Sequence, residues 1–142
     1  MRHLRLVSAI LVLLGLTGVG CQRDLYNVKD APVPTFGSRS LTMEEVKNAI
    51  MKSRGTSQIQ YQMRDVQPGL IRCVITHKIH RAVVNITYST ESYSITYQDS
   101  QNLKYEPADA ENAAVIHRHY NTWIRDLDES IRFNLSSASG EA

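Results

Sequence analysis

Residues 58–98, QIQYQMRDVQPGLIRCVITHKIHRAVVNITYSTESYSITYQ, decide the fold, because apolar side chains recur there at every second position. Ile59, Tyr61 and Met63 alternate with Gln60, Gln62 and Arg64, and Ile71, Cys73 and Ile75 alternate with Arg72, Val74 and Thr76. Ala82, Val84, Ile86 and Tyr88 follow on one face, then Tyr93, Ile95 and Tyr97 against Ser94, Thr96 and Gln98. A period of two is the side-chain repeat of a strand, and such alternation marks a sheet with one buried face and one wet face. Gln67-Pro68-Gly69, the His77–His80 neighbourhood and Ser89–Ser92 supply the turns. The expectation is a four-stranded antiparallel meander, apolar on one side and rich in Ser, Thr, Asn and Gln on the other.

On either side of this stretch the period becomes helical. Leu41-Thr42-Met43-Glu44-Glu45-Val46 places Thr42 at an N-cap and Glu45 at N3, a capping box, with Leu41 and Val46 as its hydrophobic staple. Met43, Val46, Ala49 and Ile50 recur at helical spacing, and Gly55 is expected as the C′ glycine. A second helix is expected from about Asp109 to Leu135. Its stripe of Ile116, Tyr120, Trp123, Ile124, Leu127, Ile131 and Leu135 is wide enough to cover the sheet. The fold class is therefore α+β in the order α-β-β-β-β-α, with both helices packed on one face of the meander. Residues 41–135 form the domain and 136–142 a flexible polar tail.

The start of the chain carries a different kind of information. Arg2 and Arg5 precede a 14-residue apolar run, Leu6 to Val19, interrupted only by Ser8, Gly15, Thr17 and Gly18. That is shorter than a membrane span, which needs roughly 20 apolar residues. A short apolar run behind a basic start is instead a cleavable export signal, here residues 1–20. Its end, Gly18-Val19-Gly20-Cys21, resembles the lipobox of bacterial lipoproteins, although Gly18 stands where that motif usually has Leu. The resemblance implies that Cys21 is acylated and becomes the first residue. The alternative is an ordinary secretory signal cut near Gly20, which leaves Cys21 a free thiol. Several acyl chains make attachment stable, at about 0.8 kcal/mol per buried CH₂. Gln22 follows the cysteine, and by the sorting rule of enteric-type lipoproteins this favours the outer membrane over the inner.

Residues 21–40 then read as a lipid-anchored tether, with two prolines, a glycine and scattered charge over 22–40. Fully extended, that stretch reaches about 65 Å. A rival reading packs Leu25, Tyr26 and Val28 onto the domain.

Without residues 1–20 the chain has 14 Lys+Arg (16 less Arg2 and Arg5) against 14 Asp+Glu, a formal net charge of zero. No polybasic run is present, which argues against nucleic acid as a partner. With Cys21 acylated, Cys73 is alone, so no intrachain disulfide is expected.

The stretch from Pro68 to Leu135 resembles a family of small proteobacterial lipoproteins whose function is not established. It does so through Pro68-Gly69, Tyr88-Ser89, the run SYSITYQDSQNLKY from Ser92 to Tyr105, Ile116-His117 and Tyr120-Asn121-Thr122-Trp123. The resemblance implies a Gram-negative envelope and lends no activity.

Candidate chemistry is sparse. His77 and His80 form H-x-x-H at a turn, near Cys73 in sequence and with His117 and His119 further on, which are borderline ligands in no zinc spacing. In strand geometry the two rings are expected on opposite faces, as turn and surface histidines. Cys73 shares its face with Ile71 and Ile75 and is expected to be a small buried hydrophobe. No nucleophile elbow and no H-E-x-x-H is present, and Asp99-Ser100 with His117 is a combination any chain of this size offers. His117 and Asn121 are expected to lock the Asp99–Tyr105 loop onto the second helix. Neither catalysis, nor a cofactor, nor a metal is expected.

The functional expectation is a lipoprotein on the periplasmic side of the cell envelope, held to the membrane by lipid on Cys21. It acts there as a binding or scaffolding module for an envelope protein partner. The last strand of the meander is a candidate edge to accept a partner strand. The alternative is a periplasmic domain that binds a small ligand or a metal, or acts as an enzyme, through the His77/His80 or Asp99/His117 neighbourhood.

Overall fold

The computed structural model describes residues 20–140, so nearly all of the expected signal, 1–19, lies outside the described residues. The meander forms where alternation placed it, as β3 (Gln60–Gln67), β4 (Leu70–His77), β5 (His80–Tyr88) and β6 (Ser92–Gln101). A fifth strand, β2 (Val28–Pro32), adds to β6, and the antiparallel sheet runs β2-β6-β5-β4-β3. A two-stranded sheet pairs β1 (Gln22–Asp24) with β7 (Val115–His117). The class is α+β with two helices among the described residues, but the expected α-β-β-β-β-α order omits three strands.

Two of those strands replace the expected tether. Gln22–Asp24 and Val28–Pro32 are part of the domain, and its rival reading, with Leu25, Tyr26 and Val28 packed down, describes this segment. The reason is hydrogen bonding. Asn121, buried at 6% exposure, accepts from the Tyr26 amide at 3.0 Å and donates to the Asp24 carbonyl at 2.8 Å. The Arg125 guanidinium lies 4.6 Å above the Tyr26 ring, within cation–π reach. Asp30 adopts a positive φ of 46° where the β2–β6 register slips, and Pro32 is tolerated because β2 is an edge strand. Strand β6 consequently lies inside the sheet, and the edges are β2 and β3. The expected free edge at the last strand of the meander is thereby corrected.

Helix α1 (Met43–Met51) begins with the expected capping box: Thr42 Oγ1 accepts from the Glu45 amide at 3.2 Å, and Glu45 Oε2 accepts from the Thr42 amide at 2.9 Å. It ends earlier than Gly55 suggested, at a right-handed Lys52 cap. Gly55 serves a close approach instead: a Cβ there would stand 1.8 Å from the Ile59 carbonyl oxygen.

Helix α2 is Arg118–Ser139, not Asp109–Leu135. Val115–His117 is held in strand by β1, and Asp109 closes an Asx turn by accepting from the Glu111 and Asn112 amides at 2.8 and 2.7 Å. At the other end the helix continues through Ser139 to Gly140 in the left-handed conformation, so the expected tail at 136–142 is helical through Ser139; 141–142 lie outside the described residues.

The core joins α1 (Val46, Ala49, Ile50), the α2 stripe and alternate residues of the sheet in one cluster. All seven residues of the expected stripe are buried, with Trp123 at 3% exposure, although Ile116 sits on β7. Asp128 ties helix to sheet by accepting from the Tyr93 hydroxyl at 2.5 Å and from Arg132 Nε at 2.9 Å.

Candidate functional site

The same alternation that fills the core fixes what the sheet shows on its other face. Register makes Arg64 the direct partner of Arg72, Arg72 the partner of Asn85, and Asn85 the partner of Thr96. One step along the strands come Gln62, Val74, Val83 and Asp99. A further step brings Gln60, Thr76, Arg81 and Gln101. These rows form a shallow open hollow of about 590 Å³ with a Val74–Val83 floor and walls of Arg64, Arg72, Arg81, Gln98 and Asp99.

The arginines are not neutralised, and Arg72 is held in place by a hydrogen bond. Arg72 Nε donates to Asn85 Oδ1 at 3.2 Å, and Asn85 Nδ2 donates to Gln98 Oε1 at 2.7 Å, a polar chain across three strands. The ion pairs among the described residues are Arg39–Glu45, Lys47–Glu44, Lys47–Asp65 and Arg132–Asp128, and none involves Arg64, Arg72 or Arg81. Asp99 is the sole carboxylate lining the hollow. Like charges directly opposite each other on a sheet are unfavourable, so the Arg64–Arg72 pair serves the fold poorly and an anion well. A guanidinium presents a planar fork of donors that matches a carboxylate or phosphate.

The other candidates fall elsewhere. His77 and His80 are direct partners flanking the two-residue turn Lys78-Ile79, so they lie on one face of the hairpin and not on opposite faces. A two-residue loop makes its flanking residues partners, which strand alternation alone ignores. His77 Nδ1 bonds the Gln58 carbonyl at 2.8 Å and its ring meets Trp123 edge-on at 6.3 Å. His80 Nδ1 bonds the Asn102 carbonyl at 2.7 Å, and its ring stacks 6.3 Å from His117. The His119 ring lies 4.5 Å from that of His117, whose Nδ1 caps α2 by accepting from the His119 amide at 3.2 Å.

Burial, then the neighbouring charges of His119 and His80, hold the His117 ring below its ordinary pKa. Cys73 is fully buried among apolar neighbours, and burial pushes its thiol up to about 12. Among the described residues no group of three or more His, Cys, Asp or Glu side chains is placed to hold a metal ion.

Asp99 and Ser100 are not brought together. Asp99 pairs with Val83 on the open face, whereas Ser100 pairs with Ala82 and bonds the Tyr97 hydroxyl at 2.9 Å. The loop after β6 is locked by His117, as expected, and by the hairpin, whereas Asn121 bonds Tyr26 and Asp24: the His117 amide donates to the Leu103 carbonyl at 2.8 Å, and Asn102 Nδ2 donates to the Ile79 carbonyl at 2.7 Å.

Sequence reasoning missed the arginine face because Arg64, Arg72 and Arg81 are separated along the chain and form no run. The usable signal was the turn at Pro68-Gly69, which folds Arg64 back onto Arg72. Comparison of the chain with known protein families, with curated proteins and with solved structures finds no match.

Proposed function

We propose that this chain is a lipoprotein of the bacterial envelope, anchored through acyl chains on Cys21 at the periplasmic side, and that it is a binding module and not an enzyme. The likeness to small proteobacterial lipoproteins is part of this reading, as is the preference of Gln22 for the outer membrane. Cys21 is exposed, as a modified residue must be. The observation that carries the binding role is the open sheet face, where Arg64, Arg72 and Arg81 surround a two-valine floor with Asp99 as the only lining acid. Its partner on charge grounds is an envelope protein with an acidic patch, because a neutral domain that gathers unpaired guanidinium groups on one face is complementary to negative charge.

The test is capture in intact cells. A photo-crosslinking side chain at Val83 is expected to trap a partner. The triple variant Arg64→Gln, Arg72→Gln, Arg81→Gln is expected to lose it while keeping its fold. Capture undiminished in the triple variant overturns the charged-face reading. Separately, Cys21→Ala is expected to abolish acyl labelling and to release the protein into the soluble periplasmic fraction, and labelling that persists in this variant rules out Cys21 as the anchor.

A further inference from the structure

We propose that the end of the domain carrying the Lys78-Ile79 turn rests on the bilayer surface with the Ile79 side chain among the lipid headgroups. The domain then stands in one orientation instead of swinging on a leash. The inference rests on the reading of Cys21 as the acylated residue and goes beyond it.

The anchor has no slack. The Cys21 carbonyl accepts from the Arg118 amide at 2.7 Å, and the next residues, Gln22, Arg23 and Asp24, are already in register with His117, Ile116 and Val115. Gln22 Nε2 also donates to the Lys104 carbonyl at 2.8 Å. Acyl chains on Cys21 are thus attached to the residue immediately before a fixed strand, and the membrane must lie close to whatever surrounds it.

The β4–β5 hairpin tip lies at the same end of the domain, joined to β1 through His117 and the loop after β6. His117, the partner of Gln22, bonds Leu103; Asn102 bonds the Ile79 carbonyl at 2.7 Å; and His80 stacks 6.3 Å from His117. Ile79 is 73% exposed, the most exposed large hydrophobic side chain of the described residues. Hairpin turns of this length favour Gly, Asn or Asp, and Lys78 there adopts a positive φ of 54°. Nothing in the turn calls for isoleucine, whereas an apolar tip is suited to the headgroup layer.

The surrounding charge agrees. Lys78, Lys104, Arg118 and Arg23 are exposed at this end, against Glu106, which accepts from Gln22 Nε2 at 3.0 Å, and Asp24. A cationic rim around an apolar tip fits a bilayer containing anionic phospholipid. The other strongly exposed large hydrophobic side chain, Phe133 on α2 (71%), lies about 22 Å along the helix from Arg118 at 1.5 Å per residue. It reaches lipid only if the domain lies on its side.

The experiment places a tryptophan at three positions of the full chain produced in a Gram-negative host: Ile79→Trp, Val66→Trp at the opposite end of the sheet, and Phe133→Trp on the helix. All three sites are exposed, and the buried Trp123 is common to all. The membrane-extracted proteins are weighed by mass spectrometry for acyl chains and reconstituted in phosphatidylethanolamine–phosphatidylglycerol vesicles with brominated acyl chains, which quench at the depth of roughly 5–10 Å that interfacial side chains reach. The tryptophan at 79 is expected to lose about half or more of its added emission, and those at 66 and 133 to lose little. Acylated protein quenched at 66 or 133 but not at 79, or at none of the three, overturns the orientation and leaves the anchor standing. Protein without acyl chains overturns both.

Discussion

The two faces of the sheet are made by the same strands, one residue apart, and obey different rules. On the covered face Ile71, Cys73, Ile75, Ala82, Val84, Ile86 and Ile95 have no exposed surface. On the open face Arg64, Arg72, Asn85 and Thr96 share one row with two arginines side by side. The covered face is what packing against α1 and α2 requires. The open face contains an arrangement that packing would avoid, and this difference is the physical ground for placing function there.

The largest effect should come from removing the central aromatic of the covered side. Trp123 is buried with the His77 ring edge-on to it, so Trp123→Ala should cost about 3–5 kcal/mol. Chemical denaturation would show this as a midpoint shift at constant slope. An unchanged midpoint would mean that α2 is not what covers the sheet.

A matched pair of neighbours sharpens the contrast. Ile86 is fully buried and Thr87, next along β5, is exposed. Ile86→Ala should cost about 2–5 kcal/mol, and Thr87→Ala should stay within about 0.5 kcal/mol. Similar losses at both positions would erase the distinction between the faces.

Acid should act on the covered side at its margin, where β7 meets the core. His117 is held below its ordinary pKa by burial and by the positive charge of His119, His80, Lys104 and Arg118. Below about 6.5 the unfolded ring takes up its proton before the folded one does. Stability is therefore full above that value, falls as pH drops towards the lowered folded value, and levels off beneath it. Protonation at Nδ1 also removes the acceptor that caps the His119 amide. Protection factors of the Gln22–Asp24 amides, paired with β7, should fall on acidification more than those at the centre of β5 once the slower intrinsic exchange at low pH is divided out, and His117→Gln should flatten that difference. Equal pH dependence in the two strands would break the assignment.

How much of this was legible follows from distance along the chain. Four strands, the Thr42 capping box and the α2 stripe are local patterns, and each appears close to where periodicity placed it. Strands β1, β2 and β7 are short, and their pairings join residues far apart in sequence, such as Gln22 with His117, with no periodicity of their own. The α2 boundary shifted because an apolar Val115-Ile116 fits a helical stripe and a strand equally well until β1 is known to pair there. The arginine row is an intermediate case, since alternation assigned Arg64 and Arg72 to the polar face but not to the same rung.

The smallest effect is also the most direct test of why the open face exists. Arg64 faces Arg72 across β3 and β4, and neither is among the ion pairs of the described residues. Cross-strand pairs contribute roughly 0.2–1 kcal/mol, with like charges on the unfavourable side. Arg64→Gln should therefore raise stability by a few tenths of a kcal/mol, opposite in sign to the changes on the covered face. The gain should shrink in about 1 M salt, where the Debye length falls to about 3 Å. The same substitution should weaken crosslinking through Val83, because one of the guanidinium groups lining the hollow is gone. A stability gain accompanied by reduced capture identifies the repulsion as a cost retained for binding. A loss of stability on Arg64→Gln would show that the pair supports the sheet, and the open face would then lose its claim to be a binding surface.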